Sequence, residues 1–299
     1  MGTAPCAFAH LHPLNCNREL LTSGHICAAD RLWMDGDRVS WGIDAMALNR
    51  IGFALPLGFA LPLALALIGL LTKPAWPGDP DALWKIIHDG CVPDQSNHGD
   101  PKPCVLVDLA ERFAVLKDRN GATQFLLIPT DRVTGIEDPT ILSEQAPNYW
   151  KAAWDARHFT SAHAGTNLPD DKIALAINSQ FTRSQNQLHI HIDCIRVEAR
   201  ETLRMLQPQP GAGWNHAMIL AQDYDVRMLS ADDLKSQNLF SLAAAHLQPG
   251  QTMANETIVL AGAVLPDGSS GLYLLVGSAG GAGNGETLED HQCVIAKVP

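Results

Sequence analysis

The chain has no Lys/Arg-rich run, and its formal net charge is −11 over 299 residues. General nucleic-acid binding needs a basic patch, so nucleic acid is set aside as a partner. An acidic chain is not drawn to anionic lipid by long-range charge either. Membrane contact must then come from an anchor or a specific pocket. No C-x-x-C pair occurs among the seven cysteines, which argues against a cysteine metal site. The Gly-rich stretch "GSAGGAGNG" (277–285) lacks the Lys-Ser/Thr ending of a P-loop and reads as a flexible linker. Charged residues make up only 18% and hydrophobic ones 46%, so a sizeable core is expected and wholesale disorder is not.

One long apolar run is present. Residues 51–71, "IGFALPLGFALPLALALIGLL", hold 21 residues without a charge, enough to cross about 30 Å of hydrocarbon as a helix. Pro56 and Pro62 are tolerated in membrane spans. Arg50 precedes the run, Met46 lies just upstream, and "LTKPAWPG" offers no small-x-small cleavage site. The expected organisation is an uncleaved, single-pass anchor at 46–72, a Pro-rich linker at 73–82, and the bulk of the chain outside the cytoplasm. Residues 1–45 carry Cys6, Cys16 and Cys27 and fit this scheme poorly; translation is expected to begin at Met46. Four cysteines then remain, Cys91, Cys104, Cys194 and Cys293, and an even number beyond an export signal suggests disulfides. The segment between Cys91 and Cys104 is polar and holds three prolines, so it needs a staple; Cys194 is left for Cys293.

Residues 81–91 have a helical pattern with Leu83, Ile86 and Ile87 apolar and Gly90 as a stop. "RFAVLKD" (112–118) and "TQFLLIPT" (123–130) predict a hairpin turning at "RNGA". Residues 147–165 predict a helix closed by Gly165. Residues 172–179 and the "QLHIHIDCI" segment predict a second strand pair. Further on, 216–224, 257–265 and 271–278 read as strands and 230–247 as a helix capped by Ser230. This is an α+β pattern: an antiparallel sheet with helices, in which a second, similar half at the C-terminus is conceivable.

The chemistry concentrates in "QNQLHIHIDC" (185–194). On a strand His189, His191 and Asp193 share one face with Gln187, while Leu188, Ile190, Ile192 and Cys194 share the other. The pair could be satisfied polar surface. It could be a metal site, with a third ligand from Asp193, His163, His216 or His291. It could also be nucleophilic, with a neutral imidazole attacking phosphorus and Gln185 and Asn186 donating to phosphate oxygens.

"AINSQFTRSQNQLHIHIDC" resembles the signature segment of the histidine triad (HIT-like) superfamily. The resemblance implies a nucleotide-binding Asn thirteen residues before the nucleophile and a Gln six before it; Asn178 and Gln185 stand so relative to His191. Asp118, beside Lys117, falls in the ribose position, and Gln124 falls where many members have a His. With "CVPDQ", "VLKDRNG", "LLIPT" and a terminal "DHQC", the chain is similar to the bacterial CDP-diacylglycerol pyrophosphatase family over roughly 83–200. That resemblance implies hydrolysis of CDP-diacylglycerol to CMP and phosphatidate at the inner membrane, with the catalytic part periplasmic. The same intermediate could instead feed a CMP transferase, and a non-catalytic zinc- or nucleotide-binding module is the reading from another class. The expected domains are a HIT-like catalytic region at 83–205 and a C-terminal α+β region at 206–299 packed on it. No cofactor is required by this chemistry; a divalent metal and a homodimer are left open. A full triad would show three histidines. The register keeping Asn178 and Gln185 in place makes His191 the nucleophile, with Asp193 third, orienting His191 or holding a protonated leaving group. The other register makes it His189, with Gln187 first. Among the tryptophans, Trp76 and Trp84 suit an interfacial contact, whereas Trp150 and Trp154, four apart, suit a core.

Overall fold

A computed structural model describes residues 78–298 apart from 207–210, 212, 266 and 279–282. The apolar run 51–71, residues 1–45 and Trp76 lie outside the described residues. No helix among the described residues is long and apolar enough to cross a membrane.

The alternating and continuous apolar runs produce nine strands among the described residues. They are β1 (Leu106–Asp108), β2 (Phe113–Lys117), β3 (Phe125–Pro129), β4 (Ile173–Ile177), β5 (Ile190–Cys194), β6 (Asn215–Ile219), β7 (Gln222–Ser230), β8 (Thr257–Val264) and β9 (Ser270–Gly277). All join one antiparallel sheet in the order β1-β2-β3-β5-β4-β8-β9-β7-β6. The β2–β3 hairpin and the β4–β5 pair lie where the sequence pattern predicts them. β4 hydrogen-bonds β8, with Leu175 opposite Leu260, so the sheet runs unbroken across residue 206.

Helices cover both faces. The first, α1, runs as Ala82–Lys85, a π-helical stretch Ile86–Cys91 and Val92–His98. Gly90 therefore lies inside the helix. The stop is Gly99, whose φ of +67° is left-handed and suits a residue without Cβ. Leu83, Ile87, Cys91 and Cys104 pack on Val107, Ala114, Leu126 and Ile128 of the sheet. The opposite face carries α2 (Tyr149–Asp155) and α3 (His158–His163), where Trp150, Trp154, Phe125, Ile190 and Ile192 join the main core. The single helix expected at 147–165 is thus two, broken at Ala156–Arg157. Further helices among the described residues are α4 (Val197–Leu206), α5 (Ala231–Ser236) and α6 (Leu239–Ala244). Ser230 caps α5 in a capping box with Asp233. The strand expected at 216–224 is instead the β6–β7 hairpin. Leu220 and Ala221 turn it with φ of +47° and +64°, a conformation usually taken by Asn-Gly.

Both expected disulfides, Cys91–Cys104 and Cys194–Cys293, are formed. The second ties the C-terminal segment to β5 directly behind the histidines.

Candidate active site

A cleft of about 630 Å³ opens between α1 and the sheet. Its floor is the polar face of β5 and the end of β4. One wall is apolar, with Leu83, Ile86 and Leu126; the other holds Lys117, Asp118 and Arg119. His189 and His191 both line it, their ring centroids 4.9 Å apart.

The two imidazoles are held differently. His189 Nδ1–H donates to the Gln187 carbonyl at 2.7 Å. That bond sets the tautomer and leaves Nε2 with a lone pair, on a ring that lines the cleft. His191 Nδ1 instead lies 2.6 Å from Gln124 Nε2 and 3.5 Å from Glu286 Oε1, and its own Nε2 is buried without a partner. Burial first, and the neighbouring His189 next, push the His191 pKa down to about 3. Burial likewise lowers that of His189. Both rings are neutral at pH 7.

The predicted binding residues divide. Lys117 Nζ donates to the carbonyls of Asp118 (2.7 Å) and Gly121 (3.1 Å), and Asp118 Oδ1 accepts from Asn120 N–H. The loop is thereby braced with its ammonium and carboxylate at the cleft. Asn178 lines the cleft, but its amide is spent on Glu286: Nδ2 donates to Oε2 at 2.9 Å and Oδ1 accepts from the Glu286 N–H at 3.2 Å. Gln185 reaches the cleft edge, yet its amide braces the chain entering α1, accepting from Leu83 N–H and donating to the Asp79 carbonyl. Asn186 is exposed and turned away, its N–H on the Pro80 carbonyl. Gln187 is fully buried and donates to the carbonyls of Pro129 and Asp131. Gln124 is also fully buried and acts through His191 rather than at the cleft surface.

Asp193 does not touch His191. It sits fully buried, accepting from Thr123 Oγ1 (2.6 Å), Cys194 N–H (2.8 Å) and His291 Nδ1 (2.8 Å). The carboxylate expected to orient His191 or to hold a protonated leaving group is instead turned onto His291. The bonds to Asp193 and Glu286 push the His291 pKa up to about 9, against its burial. His291 Nε2 lies 3.3 Å from Glu286 Oε1. Burial would raise the Glu286 carboxyl, but the donors His291, Gln124 and Asn178 hold it well below the usual range. Neither Glu286 nor Arg119 stands out in the sequence. Glu286 reaches the cleft because Gly285 lets its segment lie on the sheet, where a Cβ would stand 2.6 Å from Thr257 Oγ1. Arg119 is exposed at the cleft with no ion-pair partner among the described residues.

His163, considered above as a metal ligand, packs edge-on against Phe125 on the other face, and His216 lies on β6 beside Asp223 and Asp225. Among the described residues no group of three or more His, Cys, Asp or Glu is placed to hold a metal ion. Trp84 stacks near His88 and under Arg132, not in the core.

The arrangement offers an imidazole lone pair, two cations without carboxylate partners among the described residues, and an apolar wall in one cleft. Comparison with known proteins gives this geometry its family. The family model for CDP-diacylglycerol pyrophosphatase matches residues 78–297. A CDP-diacylglycerol pyrophosphatase of Yersinia pestis is 39% identical over 228 residues, covering 72% of this chain and 84% of the relative. A probable CDP-diacylglycerol pyrophosphatase of Mycobacterium leprae is 36% identical over 233 residues, covering 75% and 86%. These relatives are named as hydrolases of a pyrophosphate bond, and this chain belongs to the CDP-diacylglycerol pyrophosphatase family.

Proposed function

We propose that this chain hydrolyses CDP-diacylglycerol to CMP and phosphatidate through a covalent intermediate on His189, on a HIT-like catalytic framework. The observation that carries the choice of nucleophile is the 2.7 Å bond from His189 Nδ1–H to the Gln187 carbonyl, which leaves Nε2 free toward the cleft. His191, favoured by the register of Asn178 and Gln185, has its Nδ1 against an amide N–H, so its lone pair is on the wrong edge of the ring.

In the first step His189 Nε2 attacks the phosphorus on the cytidylyl side. The P–O bond to phosphatidate breaks, and its electron pair leaves on the phosphatidate oxygen. In the second, water attacks the same phosphorus, the N–P bond breaks, and its electron pair returns to Nε2. The water proton passes to solvent. Lys117 and Arg119 face the diphosphate charge. Asp118 takes the ribose, as the family resemblance implies. The acyl chains stay in the bilayer while the head group enters the cleft. An anchor at 46–72, in the inner membrane with the cleft periplasmic, raises the effective concentration of such a substrate. The two disulfides support that placement, since such bonds persist in oxidising compartments.

The test is CMP release from CDP-diacylglycerol in detergent, with and without chelator, by wild type, His189→Ala and His191→Ala. His189→Ala should lower kcat by at least about 10⁴-fold. Wild-type release by His189→Ala would overturn this assignment, and loss only in His191→Ala would return the nucleophile to that residue.

A further inference from the structure

His191 carries a buried ring nitrogen with no hydrogen-bond partner among the described residues. Leaving such a polar group unpaired costs roughly 1–3 kcal/mol, so what this nitrogen carries matters. The answer is written in a chain of contacts that starts far away in sequence. Gln124 Nε2 lies 2.6 Å from His191 Nδ1 and 3.2 Å from Glu286 Oε1. An ionised carboxylate only accepts, so the end of the Gln124 amide that faces Glu286 is its NH₂. The same nitrogen then presents its second N–H to His191. Two N–H groups cannot oppose each other at 2.6 Å, so His191 Nδ1 is an acceptor. Glu286 Oε1 also lies near Nδ1, but at 3.5 Å it is the weaker partner. In a neutral ring the proton is therefore on Nε2.

We infer that the C-terminal segment 283–298 sets the tautomer of His191: Glu286, held by His291, orients Gln124, which fixes His191 as an Nε2–H donor for the phosphate that His189 attacks. This deepens the function proposed above and rests on it for the identity of the acceptor. The two histidines then carry opposite tautomers 4.9 Å apart, one a nucleophile and the other a donor. A lone pair approaching an anionic phosphorus needs a donor placed in advance on the non-bridging oxygens. Glu286 and His291 act through other side chains, so both are positioning residues.

Glu286 is itself over-determined. Asn178 grips its side chain and its backbone N–H, and His291 donates to Oε1. His291 in turn bridges to Asp193, which Thr123 and the Cys194 N–H hold. The charged groups facing His291 are thus Asp193 and Glu286. Glu289 is buried, and burial first, then the charges of Asp193 and Glu286, raise its carboxyl well above the usual range. The Cys194–Cys293 disulfide pins the whole segment to β5. His291 also packs on the loop that carries Asp118: the Ala122 N–H donates to the His291 carbonyl, and a Cβ on Gly121 would stand 2.6 Å from His291 Cβ.

The experiment is ¹⁵N NMR of the full chain in detergent with ¹⁵N-histidine, which separates Nδ1–H from Nε2–H tautomers. His189→Ala and His191→Ala assign the two signals. Wild type should show His189 as Nδ1–H and His191 as Nε2–H. Glu286→Ala, and the isosteric Glu286→Gln if the former fails to fold, should move His191 to a mixture or to Nδ1–H and leave His189 unchanged. In either variant kcat should fall by about 10²-fold, in the range for losing one placed donor, with KM little altered. An Nδ1–H His191 in wild type, or an Nε2–H signal unmoved in the Glu286 variants, would overturn the inference. The NMR result stands whether or not CMP is released, so it fails independently of the proposed activity.

Discussion

A carbonyl two residues upstream decides what His189 can do, and an amide 67 residues upstream decides what His191 can do. Such contacts turn a pair of similar side chains into two different reagents. A single methyl group should disturb them from a distance. Gly285→Ala would place a Cβ 2.6 Å from Val259 Cγ2 and from Thr257 Oγ1 on β8, which cannot move without the sheet. We expect a loss of about 1–3 kcal/mol in urea unfolding and a larger fall in activity than that loss explains, because Glu286 is displaced. A second residue-scale prediction concerns pH. Glu256 is buried with Oε1 unpartnered; burial first, then the charge of Asp225, push its pKa up to about 7, while His246 opposes. An acid whose folded pKa is raised binds its proton more tightly when folded. Its contribution is complete below the unfolded value and is lost as pH rises through about 7. Glu256→Gln should therefore match wild type at pH 4.5 and exceed it at pH 8 by at most about 3 kcal/mol, read from denaturant midpoints. At this scale the sequence shows the histidine pair, Lys117, Asp118 and Asn178, because a strand alternates and a turn follows. It does not show Glu286, which meets Asn178 across 108 positions from just beyond a stretch that reads as linker. Nor does spacing reveal that the chain entering α1 takes up the Gln185 amide and that Asn186 is exposed.

The elements were legible where local chemistry agrees with packing. The β2–β3 and β4–β5 pairs and the Ser230 cap follow from alternation, "RNGA" and Ser-x-x-Asp. Legibility failed where tertiary contacts override a local signal. Gly90 did not end α1, because the helix continues through a π-helical stretch to the cystine and Pro103 lies 3.3 Å from where a Gly90 Cβ would be. Leu220–Ala221 turned a hairpin without turn residues, and the sequence hides that turn as one strand. The disulfides were readable from their number and from the polar loop between the first two. They should differ in weight. Cys194–Cys293 spans 99 residues and Cys91–Cys104 spans 13, so the chain-entropy cost of opening is about 4.7 kcal/mol for the first and about 3 kcal/mol for the second. Paired Cys→Ala variants compared by guanidinium unfolding should keep that order. The 194/293 variant should also lose activity beyond its loss of stability, because it frees the segment carrying Glu286 and His291.

Over the whole molecule, one sheet does two jobs. Its first five strands carry the histidines, and its last four cover the β4 edge through β8. The return segment then reaches back from the C-terminal half to the active site. This is why a boundary near residue 206, natural from the weakening of the sequence pattern, does not divide the chemistry. The cleft lies under α1, the first helix among the described residues. The account depends most on the covalent step at one named nitrogen. Rapid quenching of the full chain with CDP-diacylglycerol, followed by peptide mapping, tests it most directly. The account predicts a cytidylyl group on His189 that forms and decays at rates matching turnover. The same group on His191, or single-turnover CMP release with neither histidine modified, would contradict it.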